Sequence, residues 1–159
     1  MFQLFVALAL AAAAAITDYL YYRIPNMLVA LGMVTLVWIA LTDAWYGEMQ
    51  MVFWRMQGMG ISLILLIPVY LFGGLGAGDV KLLCIIGGLF GVQSTVIIIA
   101  AAFCIGAGYG IGTILKGIQE ELQRYQENGV VQWHMHRIHF AYAVFGATLI
   151  YGLIMCKQG

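Results

Sequence analysis

Long apolar runs separated by short polar breaks dominate this sequence, and they restrict the kind of fold that the chain can adopt. Hydrophobic residues make up 64% of its 159 residues and charged residues only 9%, whereas a soluble domain carries about 25% charged residues. A helix that crosses a bilayer core needs about 20 mostly apolar residues. The sequence therefore predicts an all-α, polytopic membrane protein of about six transmembrane helices, in one membrane-embedded domain over residues 1–159.

Six apolar runs carry this prediction. The first ends on Thr17 and Asp18. It looks like a secretory signal, but no basic residue precedes it and no soluble domain follows, so we interpret it as a span. Pro68 is expected to kink the third run, and the fourth is short for a span. The runs are Phe2–Ile16, Met27–Thr42, Met59–Phe72, Val80–Phe90, Val92 to about Leu115, and Ile138–Met155.

The charges and cysteines limit the function and orient the chain. Seven acidic residues balance seven basic residues, which excludes a nucleic-acid binder held by a basic field. The loops after the first, third and fifth spans hold five of the seven Lys and Arg residues, so these loops are predicted to face the cytoplasm. Cys84, Cys104 and Cys156 lie in separate apolar runs without a CxxC, which predicts three buried, reduced thiols.

This topology places two acids, Asp18 and Asp79, at span ends on the same side. Each could simply cap a helix, a role that suits Asp79 because an acid is favoured near a helix N-terminus. Alternatively, the two carboxylates could face each other and share a proton. The ionised acid would then take a proton from water while the protonated acid polarises an amide carbonyl. Asp43, on the other side, is predicted to be a loop acid.

Glycines surround Asp79 and recur elsewhere at a spacing of four residues. The glycine-rich segment 73–78 removes side chains just before Asp79, which allows close approach of a peptide. Glycines four apart lie on one helix face and let helix backbones approach closely. The pairs that predict such packing are Gly74/Gly78, Gly87/Gly91, Gly106/Gly110 and Gly108/Gly112.

The residues around the two acids resemble a known family. The string Gly76-Ala77-Gly78-Asp79-Val80-Lys81 is similar to the GxGD motif of membrane aspartic peptidases. Asp18, followed by Ile24-Pro25-Asn26, resembles the other half-site of type IV prepilin peptidases. This resemblance implies that Asp18 and Asp79 are catalytic and that no metal or cofactor is used. It also implies residues that bind substrate or shape the loops, namely Gly76, Gly78, Lys81, Pro25 and Asn26.

The resemblance further implies an aspartic endopeptidase that removes the N-terminal leader of type IV (Flp-type) prepilins and pilin-like proteins. Its expected partners are prepilins or pseudopilins and the lipid bilayer, and its expected place is the inner membrane with the site facing the cytoplasm. Larger members carry paired CxxC motifs and also N-methylate the product; this chain has no CxxC and resembles the compact tight-adherence (Flp) and archaeal preflagellin peptidases. In the segment 138–143, His139 and Tyr142 stand where the family often has prolines.

The polar stretch before the last run holds all three histidines, His134, His136 and His139. They could bind a metal, but no acid or cysteine lies close by to complete a site. A cytoplasmic loop near headgroups or substrate acids is the favoured interpretation. Just upstream, Ile118, Leu122 and Tyr125 recur at helical spacing, which predicts a short amphipathic helix lying on the membrane surface.

Two other classes of function use the same acids. A small proton or cation transporter would need Asp18 and Asp79 along its pathway, but such acids are expected near the middle of the membrane, and these lie at span ends. A non-catalytic subunit of a secretion assembly would keep its function when either acid is replaced by asparagine.

Overall fold

The computed structural model describes residues 2–21, 24–128 and 140–158, and it describes side chains in these ranges except at 120–128 and 158. All secondary structure in these residues is helical, which confirms the all-α prediction. The helices are α1 (Phe2–Tyr21), α2 (Asn26–Trp45), α3 (Met49–Leu71), α4 (Ala77–Phe90), α5 (Val92–Asn128) and α6 (Phe140–Gln158).

Five of the six helices are long and apolar enough to cross a membrane. They are α1, α2, α3, α5 as far as Gln119, and α6 as far as Lys157. The fourth predicted span corresponds to α4, which has only 14 residues. At 1.5 Å per residue it is about 21 Å long, shorter than a hydrocarbon core of about 30 Å.

The short helix α4 lies at the centre of the bundle. The other five helices surround it in the order α1, α2, α3, α5, α6, with α6 packed back against α1, and each of them contacts α4. Residues 82–89 of α4 are all buried. This segment has no polar face, and a helix that is apolar all round is stable only inside a core.

Glycine and small polar residues bring α3 against α4. A Cβ on Gly58 would overlap the carbonyl oxygen of Gly87, so the two backbones are in direct contact. The Ser62 hydroxyl lies in the same interface and donates to the carbonyl oxygens of Gly58 at 2.9 Å and of Leu83 at 3.3 Å. The sequence predicted a packing role for Gly87 but missed its partner, because Gly58 has no glycine four residues away on its own helix.

A buried ion pair binds the C-terminal end of α4. The Arg55 Nε donates to Asp43 Oδ2 at 2.7 Å, and its Nη1 donates to the carbonyl oxygen of Leu89 at 3.1 Å. Arg55 is 7% exposed. A cation at a helix C-terminus is favoured by the helix dipole. Asp43 was predicted to be a loop acid; this was wrong, because Asp43 lies inside α2 and neutralises the buried arginine.

Several helices extend beyond the ends predicted from the sequence. Helix α3 begins at Met49 instead of Met59, and α5 runs without interruption to Asn128. Residues 118–125 were predicted as a separate helix on the membrane surface; this was wrong, because they continue α5. At 37 residues, α5 is about 55 Å long and extends well past a hydrocarbon core. Apolar runs therefore mark only the part of each helix that crosses lipid.

Two of the three thiols are exposed. Cys84 on α4 is buried as predicted, whereas Cys104 and Cys156 are exposed on the outside of the bundle. The prediction of three buried thiols was wrong because apolar residues in a membrane helix can face lipid as well as protein. An apolar run does not tell the two environments apart.

The glycine pairs gave a mixed result. Gly106 packs closely, because a Cβ there would lie 3.0 Å from the Phe140 ring. In contrast, a Cβ on Gly108 or Gly112 would meet nothing within 4 Å. Gly74 lies in the turn before α4 and shares no helix with Gly78. The predicted packing role was therefore wrong for Gly108 and Gly112, and Gly74/Gly78 was wrong as a helical pair.

Candidate active site

The last turn of α1 carries Asp18. The helix was predicted to end on this residue but continues to Tyr21. The preceding Thr17 directs its hydroxyl back into the helix and donates to the carbonyl oxygens of Ala13 and Ala14. An acid near a helix C-terminus is disfavoured by the dipole, so capping does not account for Asp18.

A tight turn carries the chain from α3 to Asp79. Gly73 has φ +75° and follows the last turn of α3, a conformation that suits glycine at a helix C-terminus. Leu75 is buried and anchors the segment. Gly76 is the N-cap of α4, and its backbone N–H donates to the Asp79 carboxylate. Asp79 therefore does cap its helix, in the manner of the third residue of a capping box.

A close contact between Ile24 and the first turn of α4 joins the halves of the site. A Cβ on Gly78 would lie 2.9 Å from Cβ of Ile24, so Ile24, which lies just before α2, packs directly on the first turn of α4. Pro25, with φ −66° and ψ 138°, is the N-cap of α2, and its carbonyl oxygen accepts from the Leu28 N–H at 3.0 Å. The proline therefore starts the helix.

Asp18 and Asp79 line one cavity at this end of the bundle. Its volume is about 740 Å³, large enough for several residues of an extended peptide. Three helix ends form its wall: the end of α1, the start of α2 and the start of α4. The lining residues are Thr17, Asp18, Tyr21, Ile24, Pro25, Asn26, Gly76, Ala77, Gly78 and Asp79.

The two carboxylates differ in their surroundings. Burial raises the pKa of Asp79, which lies outside the five spanning helices, to about 6; the nearby Asp18 charge also raises it, and the Gly76 N–H lowers it. Within the described part of the chain, Asp79 Oδ1 is buried without a hydrogen-bond partner. A buried carboxyl with an unpaired oxygen is well suited to hold a proton and to donate it to a substrate oxygen.

The structure brings together six of the seven predicted site residues. Lys81 is the exception: its side chain is exposed and does not line the cavity. The sequence missed four lining residues, Thr17, Tyr21, Ile24 and Ala77. Tyr21 could have been found from helical spacing, because it lies three residues after Asp18 and so on the same helix face.

Metal ligands do not gather in the part of the chain that the structure describes. In residues 2–21, 24–128 and 140–158 no three His, Cys, Asp or Glu side chains lie together in a way that could hold an ion. The histidines at 134, 136 and 139 lie outside the described residues, so the histidine interpretations remain predictions.

The sequence matches the type IV leader peptidase family over residues 5–111. The chain belongs to this family. The chain is 31% identical over 124 residues to a curated protein of Bacillus subtilis (strain 168), a prepilin leader peptidase/N-methyltransferase. That match covers 74% of this chain and 46% of the relative, so the chain spans about half of the relative's length. Among solved structures, none matches the chain.

Membership in the family confirms the resemblance drawn from the two motifs. Asp18, the segment 24–26 and the segment 76–81 all lie within the residues that match the family. The matched residues end inside α5. The rest of α5 and the whole of α6 therefore lie outside the residues that match the family.

Proposed function

We propose that this protein is an aspartic endopeptidase that removes the N-terminal leader of type IV prepilins and pilin-like proteins. The observation that carries the proposal is the convergence of Asp18 and Asp79 on one cavity, built from residues far apart in the sequence. Membership in the leader peptidase family supports the substrate class. We further propose Flp-type pilins as substrates and cleavage without N-methylation, because no CxxC motif occurs in the sequence.

The proposed reaction uses the asymmetry of the two acids. Asp79 holds a proton and donates it toward the scissile carbonyl oxygen, while ionised Asp18 takes a proton from water. The resulting hydroxide adds to the carbonyl carbon, and the tetrahedral intermediate collapses with loss of the C–N bond. As the C–N bond breaks, the hydroxyl formed on the carbonyl oxygen returns its proton to Asp79, and the leaving amine takes the proton that Asp18 accepted. The pair thereby returns to its starting state.

The same geometry supports an orientation with the site facing the cytoplasm. The cavity lies where α1 ends and α2 and α4 begin, so the acids are at one end of the bundle and not at mid-depth. Lys81 and Lys116 lie toward this end, in agreement with the retention of basic residues in cytoplasmic loops. This depth also argues against the transporter alternative, in which the acids would lie along a pathway through the membrane.

A cleavage assay tests the proposal. Purified protein in detergent is incubated with an Flp-type prepilin, and the new N-terminus is read by mass spectrometry for the wild type, Asp18→Asn and Asp79→Asn. Glu48→Gln serves as a matched control, because it changes an exposed acid at the opposite end of the bundle, between α2 and α3. We expect cleavage and an unmethylated terminus with the wild type and the control. Cleavage by both Asp18→Asn and Asp79→Asn contradicts the aspartic mechanism.

A further inference from the structure

Gln3, near the start of α1, completes a buried polar cluster around Arg55 at the end of the bundle opposite the cavity. Its side-chain amide lies between the Arg55 guanidinium, which can only donate, and the Leu89 carbonyl, which can only accept, so these neighbours fix the direction of the amide. The Gln3 Oε1 accepts from Arg55 Nη2 at 2.7 Å, and its Nε2 donates to the Leu89 carbonyl oxygen at 3.1 Å. Gln3 therefore joins α1 to α3 and, directly, to α4.

The cluster connects four helices. Arg55 of α3 is 7% exposed, and its Nε donates to Asp43 of α2 at 2.7 Å. The Leu89 carbonyl, at the end of α4, accepts from both Arg55 and Gln3, as its two lone pairs allow. A displacement of any one helix would leave a buried polar group unpaired, which is costly. The cluster therefore fixes the positions of α1 and α4 relative to each other at this end.

The remaining buried face of α1 is smooth. Four of its five buried residues are alanines: Ala7, Ala11, Ala14 and Ala15, with Leu10 as the fifth. A face of alanines has shallow ridges and grooves, so it resists sliding less than a face of long side chains. Between helices in lipid there is also no hydrophobic force that favours one register over another. The register of α1 on α4 therefore depends on polar contacts such as those of Gln3.

The two helices that Gln3 joins are the two that carry the acids. The distance along α1 from Gln3 to Asp18 is about 22 Å, and the distance along α4 from Leu89 to Asp79 is about 15 Å, at 1.5 Å per residue. Both stretches are continuous helix. A shift of α1 along α4 at Gln3 therefore moves Asp18 past Asp79 by the same amount.

We propose that Gln3 is a positioning residue whose hydrogen bond to the Leu89 carbonyl sets the register of α1 on α4, and with it the distance between the Asp18 and Asp79 carboxyl groups. The proposal rests on the proposed function and deepens it, because it assigns part of the geometry of the acid pair to a residue at the opposite end of the bundle. Gln3 lies far from both acids, so loss of its contacts should slow the chemical step more than it weakens substrate binding.

Gln3→Met tests the proposal, because methionine has a similar length but no amide to donate or accept. Gln93→Met is the matched control, because Gln93 is exposed near the start of α5, at the same end of the bundle. For the wild type and both variants, kcat and KM for prepilin cleavage are measured. A misplacement of about 1 Å at reacting groups costs up to about 100-fold in rate, so we expect kcat to fall about tenfold in Gln3→Met, with little change in KM. Wild-type kcat in Gln3→Met, or an equal fall in Gln93→Met, overturns the proposal.

Gln3→Glu separates the positioning role from a general loss of stability. Its carboxylate still accepts from Arg55 but has no N–H for the Leu89 carbonyl. The buried arginine therefore keeps its partners, and only the bond between α1 and α4 is lost. We expect the same fall in kcat as in Gln3→Met. Wild-type kcat in Gln3→Glu overturns the role of the Leu89 bond.

A distance measurement does not depend on cleavage. Nitroxide labels are attached through Leu20→Cys on α1 and Lys81→Cys on α4, two exposed positions close to the acids in sequence, after the native cysteines are replaced by alanine. Pulsed EPR then gives the distribution of distances between the two labels. We expect this distribution to shift or broaden in Gln3→Met and Gln3→Glu and to match the wild type in Gln93→Met.

The two readouts distinguish failure of this proposal from failure of the proposed function. An unchanged label distribution in both Gln3 variants overturns the positioning role, whatever the cleavage result. A changed distribution in a protein that cuts no prepilin supports the role of Gln3 and counts against the proposed function instead.

Discussion

Replacing Gly78 with alanine tests the contact that joins the two halves of the site. The added methyl group would lie 2.9 Å from Cβ of Ile24, whereas carbon atoms pack best at about 3.5–4.0 Å. Cβ is bonded directly to the backbone, so a change of rotamer cannot relieve the overlap. The α1–α2 connection must therefore move away from α4 by about 0.6 Å or more. Overpacking of this kind costs about 1–3 kcal/mol of folding free energy.

The same displacement separates Asp18 from Asp79, because the connection follows directly on the last turn of α1. A misplacement of about 1 Å at reacting groups costs up to about 100-fold in rate, so we expect kcat for prepilin cleavage to fall by about 10- to 100-fold. Gly108→Ala is the matched control, because its Cβ would meet nothing within 4 Å. Wild-type kcat and wild-type thermal stability in Gly78→Ala would refute the reasoning.

Three further predictions concern the bundle and its titration. Gly58→Ala should strongly lower the midpoint of thermal unfolding in detergent, because the added Cβ overlaps a backbone oxygen of α4. Gly60→Ala is the control and should leave the midpoint unchanged, because its Cβ has open space. Equal midpoints for the two variants count against the close α3–α4 contact. Asp43→Asn should destabilise the fold by about 3 kcal/mol, because it leaves Arg55 buried without its counter-charge; an unchanged melting curve would be the contrary result. Finally, kcat/KM should fall as pH rises through about 6, where Asp79 loses its proton; a rate that keeps rising above that pH contradicts the assignment of Asp79 as the acid.

The candidate site was largely predictable because its motifs are local. Gly76, Gly78 and Asp79 are close in the sequence, and Pro25 with Asn26 follows soon after Asp18. The loops on one side of an alternating helical topology must share one end of the bundle, so the two acids were expected at the same depth. The resemblance predicted that the two acids meet in one cavity. The packing of α1 against α4 is what brings them together.

The end of the bundle opposite the candidate site was not predictable in the same way. In the sequence, Asp43 and Arg55 are two separate charged residues between the second and third apolar runs, and nothing in their spacing indicates a contact. They meet because α2 and α3 both pass the C-terminus of α4, where exposed carbonyl groups favour a cation. The approach of Gly58 to Gly87 was equally hidden, because it depends on which faces of two helices meet.

Hydrophobicity alone determined that this chain is an all-helical membrane bundle, because backbone groups in lipid must be satisfied within each helix. It predicted about six spans, whereas five of the helices are long and apolar enough to cross a membrane. The order of those helices around α4 was decided only in the tertiary structure. In lipid every apolar face is equally well solvated, so apolar runs carry no information about which face packs inward. Small residues, the buried Arg55 and the contact of Gly78 with Ile24 make that choice, and through it they set where Asp18 lies relative to Asp79.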